Sequence, residues 1–132
     1  MNEDFVPFEL AVKLQEKGFN EPCYGYYHCG GGDDSFEVCG NGDRDFLNSK
    51  NKHRIAAPTI SQVLKWLREE KKIYVSILPF ATHSTINKVA FYYLIEYNST
   101  GETMKGIEQN TYCAKWNDAA FAGIEYTLDN LI

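Results

Sequence analysis

The chain has 132 residues, of which 44% are apolar and 23% charged, and its formal net charge is −5. That length suits one domain with its own core, and that balance is that of an ordinary folded protein rather than a disordered chain. The acidic balance argues against a general electrostatic grip on nucleic acid, and no apolar run reaches the ~18 residues of a membrane-spanning helix.

Charge is nevertheless uneven along the chain. Residues 1–45 hold 3 basic and 10 acidic side chains, residues 46–90 hold 8 and 2, and residues 91–132 hold 2 and 6. A basic middle between acidic ends fits self-neutralisation within the fold better than an anion site. The opening "MNEDFVPFEL" lacks the basic and long apolar regions of a secretory leader, so a cytoplasmic protein is expected. Four cysteines without an export signal are expected as free thiols.

The first predicted element is a helix in "VPFELAVKLQEKGF". Pro7 suits its first turn, Phe8, Ala11 and Leu14 recur at helical spacing, and Gly18 supplies a left-handed stop. Phe19 is expected to fold back onto that helix. "CYGYYHC", Cys23 to Cys29, is short and aromatic and reads as a strand, with "FEVCG" as its hairpin partner across "GGGDDS". Residues 40–57 show no period and are expected as a long exposed loop.

Order resumes at "APTISQVLKWLREEKK". Thr59 is a candidate N-cap, and Ile60, Val63, Leu64 and Leu67 form one apolar stripe. "IYVSILPF" and "VAFYYLIEYN" read as strands, with Pro79 confining the first to an edge or a strand end. "STGE" reads as a tight turn into a weaker third strand, roughly Thr103 to Tyr112, which makes an antiparallel meander. The last segment carries Trp116, Ala119, Ala120, Gly123, Ile124, Thr127, Leu128 and Leu131 on one helical face. Gly123 inside a helix costs roughly 1 kcal/mol relative to Ala, which points to close approach of a neighbouring element. The expected fold is therefore α+β: one domain over residues 1–132, with a three-stranded meander and a short hairpin packed with three helices.

The segment His28 to Phe46 concentrates five glycines and four aspartates, with Cys29 and Cys39 inside it and Cys23 just upstream. As a zinc site it would offer Cys23, His28, Cys29 and Cys39. Structural zinc sites use paired ligands two to four residues apart, and no such repeated pair occurs here. On a strand, Cys23 and Cys29 share a face while His28 points away. "CGGGDDS" lacks the Lys followed by Ser or Thr that a phosphate loop carries after its glycines, and its aspartates would repel the anion. "DRDFLNSKN" lacks the glycine and terminal glutamate of an EF-hand. Asp33, Asp34, Asp43 and Asp45 read as turn residues.

Nucleophilic catalysis would need a Cys or Ser beside His and an orienting carboxylate. His53, His83 with Ser84 and Thr85, and Cys113 are scattered, and no nucleophile elbow, zinc-protease motif or dinucleotide fingerprint occurs. The surplus of aromatic residues, nine Tyr and eight Phe, suggests a binding face on the strands, with Tyr24, Tyr26, Tyr92 and Tyr97 as its candidates and Tyr74 beside them.

Taken together, "PFELAVKLQEKGF", "APTISQVLKWLREE" and "WNDAAFAGIEYTLDNLI" resemble a group of small uncharacterised proteins of gut bacteria and their prophages and other mobile elements. The likeness covers the helical blocks, about half the chain. It implies no activity, so no functional residue follows from it. The expectation for function is a non-enzymatic accessory domain that binds another protein, with a homodimer open. The alternative is a zinc- or small-ligand-binding domain, hydrolases included, built on Cys23, His28, Cys29 and Cys39.

Overall fold

The computed structural model describes residues 4–40, 46–49, 53–81, 89–97, 105–109 and 112–132. The fold is α+β, with three helices and two three-stranded antiparallel sheets among the described residues. The chain divides into two compact units, residues 1–60 and 61–132. Each unit has its own sheet.

In the first unit, helix α1 runs Phe8–Glu16 and buries Leu10, Ala11 and Leu14. Pro7 is its N-cap, in extended conformation. Proline has no hydroxyl or carboxylate to offer the orphan N–H groups, and a distant residue supplies one: the Phe8 N–H donates to Oδ1 of Asp33 at 2.8 Å. Gly18, at φ +91°, ends the helix. Its N–H donates to the Gln15 carbonyl and the Phe19 N–H to the Leu14 carbonyl, the paired bonds of a Schellman cap. Phe19 is buried, as expected from its place after the cap.

The first sheet has the order β2-β1-β3, with β1 at Gly25–His28, β2 at Glu37–Val38 and β3 at Arg54–Ala57. The expected hairpin forms, with Gly25 opposite Val38 and Tyr26 opposite Glu37. Its connection contains a 3₁₀ turn over Gly32–Ser35. Ser35 Oγ accepts from the His28 N–H and donates to the Gly32 carbonyl, which pins the turn to the strand end. Gly25 packs closely: a Cβ there would stand 2.6 Å from the Phe36 ring, which would have to shift. The strand is shorter than the Cys23–Cys29 span expected, and Cys23 instead forms an isolated bridge with Phe46.

β3 is the main departure from expectation, because it falls inside the segment 40–57 read as loop. Ile55, Ala56 and Ala57 are all buried, so the strand lacks the in–out alternation that marks a half-exposed one. Phe46 is buried beside the sheet, and Asn48 bridges two segments: its Nδ2 donates to the Phe19 carbonyl and its Oδ1 accepts from the Ala56 N–H.

In the second unit, β4 (Ile73–Ala81), β5 (Val89–Tyr97) and β6 (Lys105–Glu108) form the expected meander in the order β4-β5-β6. Helix α2 (Ile60–Trp66) leads into this unit and continues as a π-helical turn over Leu67–Lys71. Lys72, at φ +57°, turns the chain into β4. The apolar stripe lies on Ile60, Val63, Trp66 and Leu67, with Leu64 half-buried.

Helix α3 (Trp116–Asn130) packs on β4 and β5. Its buried face is Ala119, Ala120, Gly123, Ile124, Thr127 and Leu128. The expected close approach is present: a Cβ on Gly123 would stand 3.0 Å from Tyr93 Cβ and 3.1 Å from Val75 Cγ1. Thr127 is buried without a lost hydrogen bond because its hydroxyl donates to the Gly123 carbonyl. Trp116, assigned to the buried face from periodicity, is 39% exposed at the first turn of the helix.

Candidate functional site

Cys23 and Cys39 are buried free thiols, their Sγ atoms turned to the carbonyls of Glu21 and Cys23 respectively. Cys29 is exposed just beyond the end of β1. His28 is engaged elsewhere, with its Nε2 2.5 Å from Glu37 Oε2. The structure does not gather Cys23, His28, Cys29 and Cys39, and among the described residues no group of three or more His, Cys, Asp or Glu side chains is arranged to hold a metal. Asp33 serves as the α1 cap. Asp43, Asp45, His83, Ser84 and Thr85 lie outside the described residues.

What β1 does present is a cross-strand cluster. Tyr26 and His28 share the face opposite Tyr27, because side chains alternate along a strand. Glu37 lies opposite Tyr26 on β2, and Arg54 lies opposite His28 on β3. The Arg54 guanidinium sits 4.7 Å from the Tyr26 ring centroid, while Phe46 and His28 flank the same ring at 5.2 and 5.6 Å. The hydrogen bond from His28, with a further one from the Tyr26 phenol, holds the Glu37 carboxyl below its ordinary range. Burial raises the Tyr26 phenol, against the opposing pull of Arg54. These contacts tie three short strands together across one face, a stabilising role that cross-strand pairs commonly fill.

On its other face β1 carries Tyr27, whose hydroxyl donates to the Val6 carbonyl at 2.6 Å. Burial, and then the nearby Asp33 carboxylate, push this phenol up to about 12. Phe8 meets the ring edge-on and Phe36 tilts against it. Tyr27 is thus a core residue with a satisfied polar tip.

The second unit offers a different kind of surface. Ile73, Val75 and Ile77 share the α3 side with Tyr93 and Ile95, so Tyr74, Ser76 and Leu78 of β4 and Tyr92, Leu94 and Glu96 of β5 share the opposite side. Tyr74 is 41% exposed there, and Tyr112, 47% exposed, meets Tyr92 edge-on at 5.6 Å. β4 is also an edge strand: among the described residues no strand pairs with it on the side away from β5.

The direction of its backbone groups follows from β5. Phe91 exchanges both backbone bonds with Cys113, and the Tyr93 N–H and carbonyl both go to Gln109. Alternation in an antiparallel ladder then directs the groups of Tyr92 and Leu94 to β4, where they meet Leu78 and Ser76. Ile73, Val75, Ile77 and Pro79 therefore direct their backbone groups to the free edge. Pro79 is tolerated because its missing N–H falls on that outer side.

No family model, curated protein or solved structure matches the chain.

The four tyrosines singled out from sequence are distributed over several surfaces. Tyr24 is exposed and Tyr26 half-buried in the first unit. Tyr92 and Tyr97 lie on opposite faces of β5, five residues apart and hence of opposite parity. Tyr74, Leu78, Tyr92, Leu94 and Tyr112 make the aromatic and apolar surface that the sequence reading only partly identified. The alternation of Tyr74, Ser76 and Leu78 was its available signal.

Proposed function

We propose that this chain is a non-enzymatic protein-binding module that takes up an extended segment of a partner protein along the edge of β4 away from β5, which no strand among the described residues covers. The supporting observation is the character of that edge. From Ile73 to Ala81 it carries no charged residue, and its outward backbone groups at Ile73, Val75 and Ile77 offer three successive donor and acceptor pairs. Natural edge strands are usually blunted by charge, by a bulge or by extreme shortness. Here Pro79 blunts only the distal end. Strand addition would supply affinity through main-chain bonds, and the Tyr74, Leu78 and Tyr92 surface would supply selectivity for apolar side chains at alternate positions.

A cytoplasmic location and an accessory role in a prophage or other mobile element belong to the same proposal. The accessory role rests on the resemblance carried by the helical blocks. Among the described residues no helix is long and apolar enough to cross a membrane.

A photo-crosslinking residue placed at Tyr74, with the same residue at Tyr24 as control, tests the binding edge in cells that make the protein. Protein adducts at position 74 and none at 24 are expected. Adducts confined to position 24, or absent from both, would contradict it.

A further inference from the structure

We infer that the first sheet binds a carboxylate group on its Tyr26 face, held by the guanidinium of Arg54 beside the ring of Tyr26. The inference comes from how charge is partnered on that face. Tyr26, His28, Glu37 and Arg54 all stand on the side away from the buried Tyr27 and Ile55, because β1 sets Tyr26 opposite Glu37 and His28 opposite Arg54. An arginine fork is the strongest partner a carboxylate can find, and Glu37 is the carboxylate of this cluster. Glu37 nevertheless takes its hydrogen bonds from His28 Nε2 and from the Tyr26 phenol. Among the influences that hold its carboxyl below the ordinary range, the His28 hydrogen bond is the largest and the charge of Arg54 the smallest.

Arg54 is thereby left without an acceptor. Among the described residues its guanidinium makes no hydrogen bond and no ion pair, and the contact it does make is with the Tyr26 ring, 4.7 Å from the centroid. A ring attracts a cation through its quadrupole and leaves the charge in place. The half-buried Arg54 therefore keeps both its positive charge and its N–H donors for a ligand.

The setting selects the class of anion. The planar fork of a guanidinium matches the two oxygens of a carboxylate. With Glu37 on a neighbouring strand, a dianion such as phosphate meets more repulsion than a monoanion does. The Cys29 N–H donates to the His53 carbonyl, so His28 and Arg54 form a non-hydrogen-bonded pair, the kind whose side chains approach most closely. His28 and Phe46 border the same Tyr26 ring, at 5.6 and 5.2 Å, and give the ligand an aromatic seat.

Side-chain NMR of the isotope-labelled full chain tests the site. The Hε signal of Arg54 is followed against that of Arg68, an exposed arginine of the π-helical turn, as sodium acetate replaces sodium chloride at constant ionic strength. A saturable shift is expected at Arg54, in step with the ring signals of Tyr26 and half-complete at about a tenth of the concentration needed at Arg68. Arg54→Lys keeps the charge without the fork and should raise the half-saturating concentration, read at Tyr26, about tenfold. Glu37→Gln keeps an acceptor for His28, removes the negative charge and should lower that concentration. Thermal melts check that both variants keep the fold. Acetyl-triglycine and its C-terminal amide separate the sources of the group: tighter binding of acetyl-triglycine than of acetate assigns a peptide C-terminus, and no gain over acetate assigns a small free acid. Amide bound as tightly as the acid, tighter saturation by inorganic phosphate than by acetate, or equal behaviour of Arg54 and Arg68 would overturn the assignment. So would an Arg54→Lys variant that binds as well as the unaltered chain, or a Glu37→Gln variant that binds no better.

Discussion

Replacing Gly123 by alanine tests the packing of α3 against its sheet. In an open helix the substitution stabilises by roughly 1 kcal/mol, because glycine has more backbone freedom to lose. Here the added methyl would lie 3.0 Å from Tyr93 Cβ, 3.1 Å from Tyr93 Cγ and 3.1 Å from Val75 Cγ1. Carbon contacts are most favourable near 3.5–4.0 Å, so all three are compressed at once. Tyr93 Cβ is fixed to the β5 backbone and cannot swing away as a side-chain tip would. Overpacking of this kind costs about 1–3 kcal/mol, which exceeds the propensity gain over most of its range. Gly123→Ala is therefore expected to destabilise by about 1 kcal/mol, read as a lower urea midpoint with unchanged slope and as a fall of several degrees in Tm. Combining it with Val75→Ala removes one of the clashes, so the double variant should lose less than the sum of the two single ones. Stabilisation by Gly123→Ala alone would refute the close approach of α3 to β4 and β5.

Three further outcomes follow from the first unit and from the thiols. Asp33→Ala removes the carboxylate that accepts from the Phe8 N–H and should cost about 0.5–2 kcal/mol in chemical denaturation, with loss of helical signal at α1. Tyr27 ionises near 10 in the unfolded chain and at about 12 in the folded one, so its contribution is intact below pH 10 and is lost as pH rises towards 12. Tyr27→Phe should flatten that part of a Tm-against-pH curve. It should also lower stability at neutral pH by about 1–3 kcal/mol, because the Val6 carbonyl is left without its donor. In the native protein an aromatic disulfide reagent should modify Cys29 rapidly, while Cys23 and Cys39 react only on unfolding; peptide mapping of the labelled thiols would show a different order if the burial were wrong.

Much of the fold is legible in the sequence where local and tertiary requirements agree. Gly18 stops α1 because its positive φ is one that glycine adopts freely, and Gly123 marks a close contact because nothing else compensates a glycine inside a helix. The meander is legible because β4 and β5 are rich in β-branched and aromatic residues and separated by polar segments. β3 is not, since Ile55, Ala56 and Ala57 are all buried and two of them are small, which erases both alternation and propensity. Nor is the α1 cap: Asp33 lies 25 residues from Phe8, and only the folded hairpin brings them together. Trp116 shows the limit of periodicity, which assigns it to the buried face although it is 39% exposed at the first turn of α3.

The candidate site divides in the same way. The parity of Tyr92 and Tyr97 is readable as an odd spacing, and it places them on opposite faces. The significance of Pro79 is readable only in part: proline implies an edge, but which side its missing N–H faces requires the bonds of Phe91 and Tyr93 on the next strand. In the glycine- and aspartate-rich segment, Gly32–Ser35 forms the turn of the hairpin and Asp33 caps α1.

Residue-resolved amide hydrogen exchange along β4 measures the binding edge most directly. Tyr74, Ser76 and Leu78 donate inward to β5 and should be protected at every concentration, whereas Val75 and Ile77 should exchange quickly in dilute protein and slow as a strand is added at the edge. Protection that stays low at Val75 and Ile77 while the protein associates with itself or with another protein would contradict strand addition at β4.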